Sequence, residues 1–494
     1  MRIIFRVDAS EKIGMGHWIR CLALAQTFRD QGESVLFLSA KHPHPDCLKQ
    51  LAVEGIRHQT LQSQIGSTVD AKKTSAFALA YGADLIILDG YSFSSSYQSC
   101  LKQAGHRLLL IDDFCHLEEY CTDFILNQNS LVLKNRYHAQ KNKPNVLLGS
   151  TFALLRREFL KSKVTKLRIK EKSLLVMFGG SDPFGLTEKT LLSLIPAFKP
   201  LRPHCQIHVV IGSHNQRYAK ILKLTRPYSW IHVKKNPLNL ISIMKNSTAA
   251  LTAAGSTCWE LAYLGVPMMA IVVAKNQTLL AKTLQSHKAA HILRDPINFK
   301  ALGHSLLAFL KNGKELAQMI KSQRRLVDGK GSLRVYHTLK QNLLTLRPIT
   351  LKDRHRVWQW ANDRETRSLS FSSDKISWDS HKKWFRKKLK DPFCHFFMGE
   401  KGNKPVGHIR YDVQNRKAVL SLTVAPEWRG RGIGNDLVRI SSFNMFQKTR
   451  IKQIEAYVLP QNKNSMNLFH RNQFKLVSHS KLHGKKCAKF VLAK

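Results

Sequence analysis

His17 follows Gly14-Met-Gly16 and precedes Ile19, Leu22, Leu24 and Ala25, apolar residues that recur at helical spacing. Upstream, Arg2 to Val7 alternate apolar and β-branched residues in the manner of a first strand. Gly14 and Gly16 allow a tight turn and a close approach of backbone to ligand. A strand, a glycine turn and a helix start direct unpaired N–H groups at an anion. A histidine in that positive field is favoured in its neutral form, which can accept a proton. Proton abstraction beside a bound anion is the chemistry implied. The plain alternative is a helix start whose histidine is merely exposed.

Further acids end apolar runs. Asp89 and Tyr91 close the run from Leu85, and Asp112 and Asp113 close the run from Arg107. With Asp8 behind the first strand and another short strand from Ser34 to Ser39, these runs predict a parallel sheet buried on both faces. Ligands bind beyond the carboxyl ends of such strands. The competing role for several of these carboxylates is to cap the next helix.

A second α/β unit follows the basic stretch Lys161 to Lys172. Ser173 to Phe178 reads as a strand running into Gly179, Gly180, Ser181 and Asp182, and Gln206 to Ile211 as another ending at Gly212. Ala249 to Ala253 reads as a third, feeding Gly255, Ser256, Thr257 and a helix with Glu260 one turn in. Amides and hydroxyls at that helix start suit a diphosphate. Glu260 suits two vicinal ribose hydroxyls, or else simply complements the helix dipole. Asn276 and Gln277, after the strand Met268 to Val273, are either ligand contacts or turn residues.

From Leu346 the chain changes character. A helix with Trp358 and Trp360, a basic amphipathic helix from His381 to Lys390, and strands 394–399, 406–411 and 418–424 precede Ala425-Pro-Glu-Trp-Arg429-Gly430-Arg431-Gly432-Ile-Gly434. Bare N–H groups and two cations at a helix start form another pyrophosphate cradle.

The whole chain has 494 residues, 43% hydrophobic and 23% charged, enough for several ordinary cores. Nine scattered cysteines without a Cys-x-x-Cys pair point to thiols in a reducing compartment, not to a disulfide framework or structural zinc. The N-terminus lacks a signal-peptide pattern, and the most apolar window, Ala249 to Ala274, is broken by Glu260, Gly265 and Pro267. A cytoplasmic protein without a membrane span is expected. The net charge of +46 is spread along the chain and singles out no partner, though it attracts phosphates. A nucleic-acid binder would account for the charge but leaves the phosphate cradles without a role.

Taken together, Asp8-Ala-Ser…Ile-Gly-Met-Gly-His17…Arg20, Leu88-Asp-Gly-Tyr91, Ile111-Asp-Asp113, Leu126-Asn127, Leu148-Gly149…Leu154-Leu-Arg156…Phe159, Gly179-Gly-Ser-Asp182, Ala254-Gly-Ser-Thr…Glu260 and Val266-Pro267…Asn276-Gln277 resemble the PseG family. Its members are UDP-2,4-diacetamido-2,4,6-trideoxy-β-L-altropyranose hydrolases of the pseudaminic acid pathway. The resemblance spans roughly residues 1–340. It implies a GT-B-like α/β fold related to MurG-type glycosyltransferases, with the sugar nucleotide between two Rossmann-like halves, 1–160 and 161–340. It also implies attack of water at the anomeric carbon with inversion and without a metal. His17 would be the general base, or part of the relay that orients the water. Gly255, Ser256 and Thr257 would hold the diphosphate and Glu260 the ribose, while Asp8, Asp89, Tyr91 and Asn127 would face the sugar. Gly14, Gly16, Arg20, Gly180, Ser181, Asp182, Asn276 and Gln277 complete the implied substrate-binding set.

Residues 346–494 resemble the GNAT acetyltransferases, which implies acetyl-CoA. Val424 and Ala425 would face the thioester and pantetheine. Arg429, Gly430, Arg431, Gly432 and Gly434 would face the pyrophosphate, with Asn462 a further contact. Phe469 stands where many of these enzymes have a tyrosine acid, and Gln473 where a glycine is usual; Tyr411 and Tyr457 lie nearby in motif terms. Adjacency to a PseG-like part implies a PseH-like step, acetylation of the 4-amino UDP-sugar before UDP is removed. The whole then reads as a bifunctional enzyme acting on a UDP-linked amino sugar. A GT-B glycosyltransferase with an accessory GNAT domain is the rival.

Overall fold

The computed structural model describes residues 1–494 except 11–12, 141–142, 163–171, 181, 202–203, 213–214, 238, 295 and 483. Ser181 and most of the basic stretch Lys161 to Lys172 therefore lie outside the described residues. Compactness separates two units, one of residues 1–78, 85–99 and 107–336, the other of residues 79–84, 100–106 and 337–494.

The first unit holds two sheets. Strands β1 (Arg2–Val7), β2 (Ser34–Ser39), β3 (Arg57–Thr60), β4 (Leu85–Asp89), β5 (Leu108–Ile111), β6 (Phe124–Asn127) and β7 (Asn145–Leu148) pair in the order β3-β2-β1-β4-β5-β6-β7. Every pairing is parallel. Strands β8 (Lys172–Met177), β9 (Cys205–Ile211), β10 (Ile231–Lys235), β11 (Ala249–Ala253), β12 (Met268–Ile271) and β13 (His291–Leu293) form the second sheet, β10-β9-β8-β11-β12-β13, also parallel. The continuous apolar runs have their physical reason here. Leu174 and Val176 enter one core cluster and Leu175 and Met177 another, because successive side chains leave opposite faces and both faces are covered by helices.

In each sheet the strand order reverses once, between β1 and β4 and between β8 and β11. Loops diverge at such a switch point and leave a crevice at the carboxyl ends. The His17 loop follows β1 and Asp89 ends β4; Gly179 and Gly180 follow β8 and Gly255 follows β11. The fold thus gathers the glycine loops that the sequence singles out.

The second unit is built on a mixed sheet. Its strands are β14 (Leu344–Pro348), β15 (Cys394–Lys401), β16 (Lys404–Gln414), β17 (Lys417–Val424), β18 (Gln453–Val458), β19 (Lys475–Leu482) and β20 (Lys485–Ala493), ordered β14-β15-β16-β17-β18-β20-β19. The one parallel pairing, β17 with β18, extends only over Lys417–Val419 opposite Gln453–Glu455. Beyond it the two strands part, and the helix Ile433–Lys448 starts near the opening. Helices cover both sheet faces, with one core around Ile409, Leu437 and Phe490 and a second around Trp360, Phe385 and Phe396.

Candidate active sites

In the first unit, the chain leaves β1 through a loop closed by the Gly14 N–H donating to Ser10 O at 2.7 Å, with Gly14 at φ 81°. Only glycine takes that conformation without strain. The helix Gly16–Asp30 then begins, and its N-cap residue Met15 supplies no side-chain acceptor. His17 therefore sits at a helix start not capped by a side chain, facing the end of β4.

Its Nδ1 lies 2.6 Å from Asp89 Oδ1 and 3.1 Å from Arg20 Nη2. The shorter contact, to a carboxylate, assigns the proton to Nδ1 and the lone pair to Nε2. No hydrogen bond to Nε2 is made among the described residues. The Tyr91 ring stands edge-on to His17 at 5.0 Å, and its hydroxyl donates to Asp113 Oδ2 at 2.5 Å while accepting from Asn276 Nδ2 at 2.8 Å. Burial would raise the Asp89 carboxyl, but Arg20 and His17 outweigh it and hold it at about 2. Arg20 donates to both Asp89 oxygens and to Asp113 Oδ1, each at 2.6 Å. A fully ionised Asp89 thus orients the imidazole and stabilises any positive charge the ring acquires.

Several residues expected to face a ligand turn to the protein instead. Asp8 accepts from Arg6 Nη1 and from the Ala40 amide, which secures the loop after β2. Arg20 and Asp89 are held by each other. Asn127 is fully buried; it donates to the Tyr137 hydroxyl and accepts from the Asn129 amide. Asp182, at φ 43°, accepts from the Leu186 and Thr187 amides and so caps a helix. The Gln277 side chain accepts from the Val273 amide. For Asp8, Asp89, Asn127 and Asp182 the reason is common: a buried carboxylate or amide must be hydrogen-bonded, and the nearest donors belong to the chain.

In the second half of this unit, Gly255, Ser256 and Thr257 are half-buried at the start of the helix Thr257–Leu264. A side chain at Gly255 would meet nothing within 4 Å, so the backbone there borders open space. Gly180 O lies 2.3 Å from where a Cβ on Gly212 would stand, which fixes the glycine loop after β8 against β9. Glu260 is 7% exposed, and its Oε1 accepts from Arg156 Nε and Nη2 at 3.1 and 2.9 Å. Burial pushes its carboxyl up while Arg156 pulls it down. Sequence reasoning did not assign Arg156 a partner, because nothing local joins it to an acid on a distant helix. His116 escaped it too: its Nδ1 meets Asp112 Oδ1 at 2.9 Å, and its ring packs on Tyr91 at 5.3 Å.

In the second unit, a cavity of about 820 Å³ runs past Val424, Gly430, Gly432, Gly434 and Asn462 to Trp384 and His408. Gly430 and Gly432, at φ 73° and 77°, shape the turn, and a side chain on Gly430 would meet open space. Other expected contacts are modified by the structure. Arg429 is held by Asp363 at 2.6 Å and Glu365 at 2.7 Å. Arg431 lies over the Trp428 ring at 5.2 Å. Ala425 is fully buried in the Trp360 core. Gly434 makes room for Leu468, whose Cδ1 would be 2.7 Å from a Cβ. Asn462 caps the helix Lys463–Arg471 by accepting from the Ser465 amide. Phe469 packs on Phe474 and Phe490 in the core, and the Tyr411 hydroxyl is buried against Ser441 and Ser442.

Comparison with known proteins fits this division. Residues 174–332 match the glycosyltransferase family 28 C-terminal domain and residues 344–475 the acetyltransferase (GNAT) domain. The chain joins a PseG-like part to a GNAT domain. A Campylobacter jejuni relative, UDP-2,4-diacetamido-2,4,6-trideoxy-β-L-altropyranose hydrolase, is 26% identical over 58% of this chain and 96% of its own length. An uncharacterized protein of Methanocaldococcus jannaschii is 24% identical over 78% of each chain. A Listeria monocytogenes structure described as a UDP-N-acetylglucosamine 2-epimerase superposes with a TM-score of 0.54 at 11% identity, over 69% of this chain and 96% of its own. That likeness shows the fold, a GT-B pair of Rossmann-like halves. The PseG-like part with its GNAT domain belongs to an enzyme. Among the described residues no cluster of three His, Cys, Asp or Glu side chains is placed to hold a metal ion, and no helix is long and apolar enough to cross a membrane.

Proposed function

We propose that the chain is a bifunctional enzyme of pseudaminic acid biosynthesis, with domains at 1–160, 161–340 and 346–494. The first two hydrolyse UDP-2,4-diacetamido-2,4,6-trideoxy-β-L-altropyranose to UDP and free sugar. The third acetylates the 4-amino UDP-sugar precursor. The observation that carries the hydrolase reading is His17, its Nδ1 fixed by Asp89 and its Nε2 left to accept a proton beside a helix start. The similarity to the Campylobacter hydrolase supports it.

In this reading water donates a proton to His17 Nε2 as it attacks the anomeric carbon, the C–O bond to the diphosphate breaks, and UDP leaves. The charge on the ring is met by Asp89, and Arg20 keeps Asp89 ionised. Gly16, Gly180, Ser256 and Thr257 offer backbone and hydroxyl donors to the substrate, Gly14 and Gly255, whose amides are already bonded within the chain, let the backbone turn beside it, and Tyr91 and Asn276 offer a rim. Glu260 reaches the ribose with the oxygen that Arg156 leaves. In the GNAT domain, backbone at Val424, Gly430, Gly432 and the following helix start would hold acetyl-CoA, which supplies an activated acetyl group. The open space at Gly430 and the parted strands fit such a group.

The test is UDP release from the diacetamido UDP-sugar in water alone, which wild type performs and His17→Ala does not. The family 28 match favours one second reading, a glycosyltransferase. It requires UDP release only when an acceptor alcohol is added.

A further inference from the structure

His408 lies on β16 and borders the cavity of the second unit, yet it is only 6% exposed. Neither ring nitrogen meets a hydrogen-bond partner among the described residues. The ring is parallel to Trp360 at 6.2 Å and edge-on to Phe396 at 5.4 Å, so its orientation is set by aromatic packing. Burial, with help from Arg410 and His381, lowers its pKa to about 3 and keeps it neutral. A buried imidazole that lacks both partners carries an unreturned desolvation cost, which a bound polar ligand restores.

Charge along the same wall is one-sided. Arg410, two residues on and thus on the same face of β16, borders the cavity with its guanidinium 5.0 Å from the Trp384 ring centre. Its Nε donates to Asp412, an acid that Lys388 also engages at 2.7 Å. Arg367 borders the cavity as well. The carboxylate lining the cavity, Glu365, is already paired with Arg429 at 2.7 Å. Such a wall repels a polycationic amine and favours an amine that carries its own negative charge.

We propose that His408 and Arg410 form the acceptor subsite of the acetyltransferase unit, the imidazole holding the amine that is acetylated and the guanidinium an anionic group of the same molecule. The inference rests on the acetyl-transfer reading above and names the residues that would select its phosphate-bearing amino acceptor. A neutral ring nitrogen accepts one amine N–H and leaves the nitrogen lone pair aimed at the thioester carbonyl. The N–C bond forms as the C–S bond breaks, and the surplus amine proton ends on the departing thiolate. This route asks nothing of Phe469.

The experiment follows thiol release from acetyl-CoA with three acceptors: the 4-amino UDP-sugar, the same amino sugar without nucleotide, and spermidine. Wild type, His408→Phe, His408→Gln and Arg410→Gln are compared, the phenylalanine keeping the aromatic stack. His408→Phe is expected to lower kcat/KM for the UDP-sugar about tenfold or more while the KM for acetyl-CoA stays unchanged. His408→Gln restores part of the loss. Arg410→Gln narrows the preference for the nucleotide-bearing acceptor, and wild type discriminates against spermidine. His408→Phe acting like wild type, equal losses toward both substrates, or efficient use of spermidine overturns the subsite. Thiol release by wild type from none of the three overturns the acetyl-transfer reading itself, and the subsite with it.

Discussion

Asp89 joins structure to chemistry at the scale of single residues. Its folded value of about 2 lies below the ordinary 3.8, so ionised Asp89 stabilises the folded state. That contribution is complete above the unfolded value and disappears as pH falls from about 4 toward 2, amounting to roughly 2 kcal/mol. Urea unfolding across that range should show wild type losing this increment, and Asp89→Asn should lack the corresponding slope; equal slopes would contradict the role given to the carboxylate. His17→Ala should reduce UDP release by about 10²–10⁴-fold, with the melting temperature little changed. A variant that keeps its rate removes His17 from the chemistry. Removing Arg20 is a different matter. Arg20→Ala leaves Asp89 and Asp113 buried without their shared cation and should destabilise the fold by about 3–5 kcal/mol, seen directly in denaturant midpoints.

Secondary elements explain both what the sequence made legible and what it did not. Apolar runs, glycine turns and helix starts are local, so β1, β4, β8 and β11 and the loops behind them are readable from spacing. Parallel pairing follows from runs such as Leu174 to Met177 that are apolar on both faces. The destination of a polar side chain is not local. Asp8, Asn127 and Asp182 stand at the ends of strands where ligands bind, yet their partners are Arg6 and Ala40, Tyr137 and Asn129, and the amides of the next helix. Arg429 sits in a glycine-rich cradle but meets Asp363 and Glu365, more than sixty residues away. Gly212 gives a test at this scale. Its missing Cβ admits the backbone of Gly180, so Gly212→Ala should displace the glycine loop after β8 and lower stability by about 1–3 kcal/mol. An unchanged melting temperature and unchanged KM for the UDP-sugar would argue against that close approach.

On the scale of the whole molecule, two catalytic units share one chain whose net charge is +46. A phosphate-bearing substrate is drawn to such a surface through solvent, and salt screens the attraction. The KM for the UDP-sugar should therefore rise as sodium chloride is increased, with kcat nearly constant; a salt-independent KM would leave the charge without this role. The proposed function gives this protein two consecutive steps, acetylation and loss of UDP. It is tested most directly by supplying the 4-amino UDP-sugar with and without acetyl-CoA and following UDP and thiol together. Both products should appear only with acetyl-CoA, and His17→Ala should stop UDP while thiol continues. No thiol from acetyl-CoA with this substrate, or no UDP from the ready-made diacetamido UDP-sugar in water, would contradict the two-step reading.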